Sequence, residues 1–137
     1  MTDVELVLKK LAVIDTCTAE LRRLARPDLL ATDVKERRFV ERTLQVALQA
    51  VLDVCSHVVS DARLGEPSTN RDLVRALVQH GWLDARLGDT LVRMVGFRNV
   101  LVHDYDEVNL DILRAVVERH LGDLDAFAAT VRQRANS

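Results

Sequence analysis

The chain has 137 residues, of which 48% are hydrophobic and 29% charged, and its formal net charge is −2. That length suits one domain with one ordinary apolar core, so we expect residues 1–137 to form a single domain. The nearly balanced charge excludes an acidic tail and a globally basic nucleic-acid-binding protein. Any contact with a polyanion must therefore come from a local cluster.

Two cysteines, Cys17 and Cys55, fall within apolar helical patterns and lack the spacing of zinc ligands. We interpret them as reduced core thiols. The N-terminus "MTDVELVLKK" has no basic start followed by an apolar run, and no stretch approaches the ~18 unbroken apolar residues of a membrane span. We expect a soluble cytoplasmic protein with no membrane partner.

Five glycines and two prolines leave few places to turn, and apolar residues recur at helical rather than alternating spacing. We predict an all-α, up-and-down bundle of four main helices plus a short fifth. The main helices are predicted at residues 3–25, 33–63, 84–101 and 110–133, and the short one in "RDLVRALVQHG", after the loop "EPSTNRD".

Side chains at the predicted boundaries can cap these helices. Thr2, Thr32 and Asn109 are candidate N-caps of the first, second and last helices, and Gly81 closes the short one. At ~1.5 Å per residue the second helix would be about 45 Å long. This exceeds what one small domain needs to cover its core, which leaves part of the helix available to pack on another chain.

The fourth helix carries an arginine on its apolar stripe. Leu91, Met94 and Leu101 follow the spacing of a buried face, and Arg98 falls on the same face. The sequence leaves two structural interpretations open: Arg98 pairs with a carboxylate such as Glu41, or it extends from the edge of the core.

His103 lies five residues after Arg98, which in an unbroken helix rotates it ~140° around the axis. The two side chains can converge only if the helix ends between them or if they meet across a symmetric pair of chains. The neighbouring Asp104 and Asp106 are weak evidence for a metal site. Asp53 and His57, one turn apart on the second helix, are predicted to pair.

Arginine and histidine together suffice for RNA cleavage without a metal ion or cofactor. Guanidinium binds phosphate through two donors and stabilises charge on the transition state. Imidazole exchanges protons with a ribose hydroxyl or a leaving oxygen near neutral pH.

The segment "RNVLVHDY", Arg98 to Tyr105, resembles the R-x4-H-x-Y signature of HEPN domains, specifically the HepT-like toxins that partner MNT-type nucleotidyltransferase antitoxins. "RRFVERTLQVALQAVLDVCSHVV" and "LVRMVGFRNVLVHDYDEVNLDIL" resemble the family's second helix and its most characteristic segment. The resemblance implies a metal-independent endoribonuclease toxin of a type VII toxin–antitoxin system. It also implies a homodimer in which the two R-x4-H motifs face one another in a composite site.

The resemblance also implies residue roles. Arg98 would bind and stabilise the scissile phosphate, and His103 would act as general acid or base. Asn99 would orient the site or hydrogen-bond the substrate. The antitoxin would transfer AMP to Tyr105, the only tyrosine in the chain. As a structural alternative, the Tyr105 ring packs on the end of the bundle.

RNA binding needs positive charge near the site, and the candidates are Arg37, Arg38, Arg42 and Arg93. Each cluster is interleaved with acids and could equally be a solvated helix face. The competing hypothesis for the whole protein is a non-catalytic HEPN dimer that serves as a binding scaffold for a nucleotidyltransferase.

Overall fold

The computed structural model describes residues 4–103 and 109–136, with the backbone alone at residues 102 and 103. All elements in these ranges are helical, which confirms the predicted all-α bundle. They are α1 (Val4–Leu24), a 3-10 turn (Pro27–Leu29), α2 (Val34–Ala62), α3 (Asn70–Gln79), α4 (Ala85–His103), α5 (Leu110–Ala115), a π-helical turn (Val116–His120) and α6 (Leu121–Ala135). The predicted last helix therefore contains a π turn that periodicity did not indicate.

The helix ends follow capping chemistry, with one correction to the predicted caps. Asn109 caps α5 as predicted, since its side chain accepts hydrogen bonds from the backbone N–H groups of residues 111 and 112. Thr32 was the wrong cap for α2: Asp33 accepts from residues 35 and 36, at 2.9 and 3.4 Å. Thr32 instead belongs to the preceding turn, where its N–H donates to Leu29. Thr2 lies outside the described residues.

α2 is the central helix of the bundle, because it packs against α1, α3 and α4, while α6 covers α1 and α4. Eleven of its residues are buried. By length and composition α2 could cross a membrane, but 56% of its most apolar window lies buried inside the bundle, as in a core helix. Arg42, Gln49 and Asp53 of α2 lie outside this core.

α3 holds α4 in place through a close helix contact. A Cβ built on Gly88 of α4 would lie 2.2 Å from Cγ2 of Val78, the next-to-last residue of α3. Gly81 follows the C-cap of α3 and has φ +79, in the left-handed conformation that glycine adopts without strain. The α3–α4 packing therefore requires a residue without a side chain at position 88.

Candidate active site

The helix that carries the arginine–histidine motif is continuous through both residues. α4 ends at His103, two residues beyond its predicted end. Residues 98 and 103 therefore lie ~140° apart around the helix axis and about 7.5 Å apart along it. The helix end that could have brought them together within one chain does not exist, so that alternative was wrong. The other alternative is that residues 98 and 103 meet across a pair of chains.

Arg98 lies at the edge of the core, facing α2. It is half-buried and shares its stripe with the buried Leu91 and Met94, which confirms the prediction that it is not on the solvent face. Its Nη2 donates a hydrogen bond to Oε1 of Gln49 on α2. Glu41, the carboxylate proposed as its partner, forms an ion pair with Arg37 at 3.6 Å.

Gln49 is itself held by a charged pair between α1 and α2. Its Nε2 donates to Oδ1 of Asp53 at 2.9 Å, and Oδ2 of Asp53 lies 3.1 Å from Nζ of Lys10. Asp53 therefore pairs with Gln49 and Lys10 rather than with His57 as predicted. Four side chains from three helices are thus connected in the order Lys10, Asp53, Gln49, Arg98, by one ion pair followed by two hydrogen bonds.

One donor of Arg98 is unused. Its Nε is buried and has no hydrogen-bond partner among the residues that the structure describes. A buried donor without a partner costs about 1–3 kcal/mol, and more where the group is charged. An anion that reached this N–H would regain that free energy, so Arg98 is suited to binding one.

An open groove of about 360 Å³ lies beside Arg98, between α1, α2 and α4. Among the described residues, its charged lining is three cations, Lys10, Arg42 and Arg98, and one carboxylate, Asp53. The excess positive charge favours an anionic ligand, because a cleft lined by one sign of charge concentrates the opposite sign.

The structure separates the four predicted RNA-binding arginines. Only Arg42 lines the groove beside Arg98. Arg37 is tied to Glu41, Arg38 is exposed, and Arg93 lines another groove. Sequence reasoning missed Lys10 as a contributor of charge, because its position on α1 says nothing about which part of α2 it faces.

The second groove, of about 520 Å³, lies between α3, α4 and the α5–π segment. Its walls are mainly apolar, with Phe97, Val100 and Ile112 among them, and Arg71 and Arg93 stand at its rim. It lies on a different face of α4 from Arg98. This groove is therefore not part of the arginine site within one chain.

Of the other motif residues predicted to act at the site, only Asn99 has a described side chain. Asn99 is exposed on α4. The side chain of His103 and the whole of Asp104, Tyr105 and Asp106 lie outside the described residues. Among the side chains that are described, no three of His, Cys, Asp and Glu converge in a way that could hold a metal ion.

Comparison with known proteins places this arrangement in context. The family model "Ribonuclease HepT-like" matches residues 14–131. An mRNA nuclease HepT of Shewanella oneidensis is 32% identical over 129 residues, which are 93% of this chain and 97% of that protein. A tRNA nuclease HepT of Aphanizomenon flos-aquae is 27% identical over 113 residues, covering 80% of this chain and 77% of its own.

Solved structures give the same relationship. A tri-AMPylated Shewanella oneidensis HEPN toxin, in complex with an MNT antitoxin, superposes with a TM-score of 0.87 at 32% identity, covering 97% of this chain and 99% of the other. The cytosolic protein YutE of Bacillus subtilis superposes equally well, at 0.87, with only 17% identity, and therefore shares the fold alone.

Proposed function

Because this chain belongs to the HepT-like ribonuclease family, we propose that it is the RNA-cleaving toxin of a toxin–antitoxin pair and that Arg98 and His103 cleave RNA without a metal ion. The observation that carries the proposal is Arg98 itself. Arg98 is half-buried beside a cationic groove, and its buried Nε–H has no partner among the residues that the structure describes. The two relatives named as nucleases support RNA as the substrate.

In the proposed reaction the ribose 2′-oxygen attacks the adjacent phosphorus. Arg98 binds the phosphate and stabilises the added negative charge in the transition state. The imidazole of His103 exchanges protons with the reacting oxygens, which suits a group that titrates near neutral pH. The bond to the 5′-oxygen breaks and that oxygen takes up a proton. The products are a 2′,3′-cyclic phosphate, or its hydrolysed form, and a 5′-hydroxyl.

The proposed site is shared between two chains. Residues 98 and 103 lie ~140° apart around the axis of one unbroken helix, so we propose that the histidine of a symmetry-related copy reaches a phosphate bound by Arg98. In the two-fold dimer that the family resemblance implies, the two motifs would face one another. Asn99, exposed one residue after Arg98, is positioned to orient the substrate or the facing chain.

We further propose that an MNT-type nucleotidyltransferase neutralises the toxin by transferring AMP to Tyr105. The related Shewanella toxin is tri-AMPylated and bound to an MNT antitoxin. An adenylyl group two residues from His103 would add negative charge and bulk where the RNA phosphate binds. Because an RNA-cleaving toxin must meet cellular RNA, we also propose that the protein acts in the cytoplasm.

The test of cleavage uses purified protein and a structured RNA in excess EDTA. We expect wild-type protein to cleave it and both R98A and H103A to be inactive while keeping the wild-type helical circular dichroism and dimer mass. Variants that fail to dimerise would favour the scaffold hypothesis, in which the motif holds the interface. Loss of wild-type activity in EDTA would contradict the metal-independent mechanism.

The test of neutralisation uses the single tyrosine. Coexpression with an MNT-type nucleotidyltransferase is expected to raise the intact mass of the wild-type chain by one or more AMP units. The matched variant Y105F lacks any tyrosine and should keep its unmodified mass. An equal mass increase in Y105F would place the modification on another residue.

A further inference from the structure

We infer that Gln49 is a positioning residue for Arg98, and that Asp53 and Lys10 fix the orientation of its amide. This inference rests on the proposed function, since it assigns a role toward the arginine of the ribonuclease site. It comes from the ion pair and two hydrogen bonds that connect α1, α2 and α4. None of the three supporting residues belongs to the R-x4-H motif.

The orientation of the Gln49 amide follows from what Asp53 can do. An ionised carboxylate only accepts hydrogen bonds, so it must face the NH₂ end of the amide. The bond from Nε2 of Gln49 to Oδ1 of Asp53 is 2.9 Å long. The carbonyl end, Oε1, is thereby turned toward Nη2 of Arg98. A flipped amide would set its carbonyl oxygen against the Asp53 carboxylate and its NH₂ group against the Arg98 guanidinium, and would lose both hydrogen bonds.

Lys10 pairs with Asp53, so this carboxylate does not have to neutralise Arg98. Its Nζ lies 3.1 Å from Asp53, so the carboxylate is compensated by a lysine rather than by Arg98. Arg98 is consequently held by a neutral acceptor. A neutral partner fixes one edge of the guanidinium without neutralising it, so the remaining N–H groups stay available to a phosphate.

The burial of these residues suits a positioning role. Gln49 and Asp53 are both half-buried on α2, one helical turn apart, where α1 and α4 approach it. Arg98 would otherwise rotate about several side-chain bonds. A displacement of the reacting group by ~1 Å can cost about a hundredfold in rate, so a fixed guanidinium edge has a measurable kinetic value.

The experiment combines a spectroscopic and a kinetic readout on the intact dimer. The Arg98 Nε–H resonance is assigned in ¹H–¹⁵N spectra as the signal missing from R98K. In wild-type protein we expect this signal to exchange slowly with water, because the atom is buried. Q49A should broaden it or merge it with exposed arginines. The matched variant Q45A removes a glutamine one turn earlier, also from the groove wall, and should keep the signal.

A paired substitution tests the orientation argument. Q49E places two carboxylates side by side and should disturb the Arg98 signal through their repulsion. Adding D53N restores an alternation of donor and acceptor. The amide introduced at position 53 donates to the carboxylate introduced at position 49, which still accepts from Arg98. The double variant Q49E/D53N should therefore recover the ordered Arg98 signal that Q49E loses.

The kinetic prediction is a fall in kcat of about tenfold to a hundredfold in Q49A, with KM changed far less, because a misplaced Arg98 acts on the transition state. Q133A, on the exposed face of α6, is the activity control. Q49A with an unchanged Arg98 signal and unchanged kcat would overturn the inference. A wild-type protein that does not cleave RNA would overturn the proposed function instead. The spectra would still decide whether Gln49 holds Arg98.

Discussion

Arg98 combines a permanent charge with partial burial and one unused donor. Gln49 accepts one N–H of this guanidinium, and the guanidinium borders the open groove. Its Nε–H is buried without a partner among the described residues, and an unpaired buried donor costs free energy. A bound phosphate would repay part of that cost, which is why an anion is the ligand that this residue fits best.

The buried thiol of Cys55 predicts a pH dependence of stability. Burial raises the pKa of Cys55 to about 12, whereas an unfolded thiol titrates near ~8.5. The folded state therefore keeps a proton that the unfolded state loses. The resulting stability is fully present below pH ~8.5 and is lost as the pH rises toward 12, by at most ~1.4 kcal/mol per pH unit.

The measurement is the free energy of unfolding in urea for wild-type protein and C55A between pH 8 and 10. We expect the wild-type value to fall more steeply, because C55A lacks the titrating group. Burial also raises the pKa of Cys17, and that contribution is present in both proteins and cancels in the comparison. Parallel pH curves would contradict the assignment of a buried, protonated Cys55.

At the residue scale the sequence located Arg98 correctly but not its partner. The three-and-four spacing of α4 indicated a half-buried arginine, since that spacing depends only on local helix geometry. Gln49 could have been noticed as a polar residue beside the buried stripe of α2, four residues before Asp53. Its contact with Arg98, 49 residues away in sequence, depends on how α2 and α4 are rotated, which local patterns do not determine.

Among the helical elements, the α3–α4 contact is the most sensitive to a single added methyl group. G88A places Cβ 2.2 Å from Val78 Cγ2, and a β-branched side chain in a helix has few other rotamers. We expect G88A to lower the free energy of unfolding by about 1–3 kcal/mol, despite the higher helix propensity of alanine.

The matched control is G122A on α6, where an added Cβ would meet no atom within 4 Å. That variant should gain up to ~1 kcal/mol from helix propensity. Both are measured by urea denaturation at one protein concentration, because the proposed dimerisation would make apparent stability depend on concentration. Equal stabilities of G88A and G122A would mean that α3 packs on α4 less closely than described.

The helices themselves were predictable within two residues at most ends, because capping residues and glycines mark them locally. The α2 cap was displaced by one residue, since Thr32 and Asp33 can both cap and only the backbone conformation decides. The π turn at Val116–His120 contains no glycine, proline or capping residue that would mark it in the sequence. It inserts one extra residue per turn and lets the adjacent Val116 and Val117 both be buried.

For the whole molecule, the continuity of α4 is the argument for a dimer. One chain supplies Arg98 beside a cationic groove and carries residue 103 on another face of the same helix. A site that uses both residues is therefore incomplete in one chain. In the proposed two-fold dimer the second chain would supply the second residue, and the same symmetry would yield two equivalent sites.

Subunit mixing tests this shared site most directly. R98A and H103A are each expected to be inactive as homodimers. Exchange of their subunits creates mixed dimers in which one site has Arg98 from one chain and His103 from the other, so metal-free RNA cleavage should return in part. Native mass spectrometry verifies that mixed dimers form, and wild-type protein serves as the positive control. If verified mixed dimers do not cleave RNA while wild-type protein does, that result would contradict a site shared across two chains.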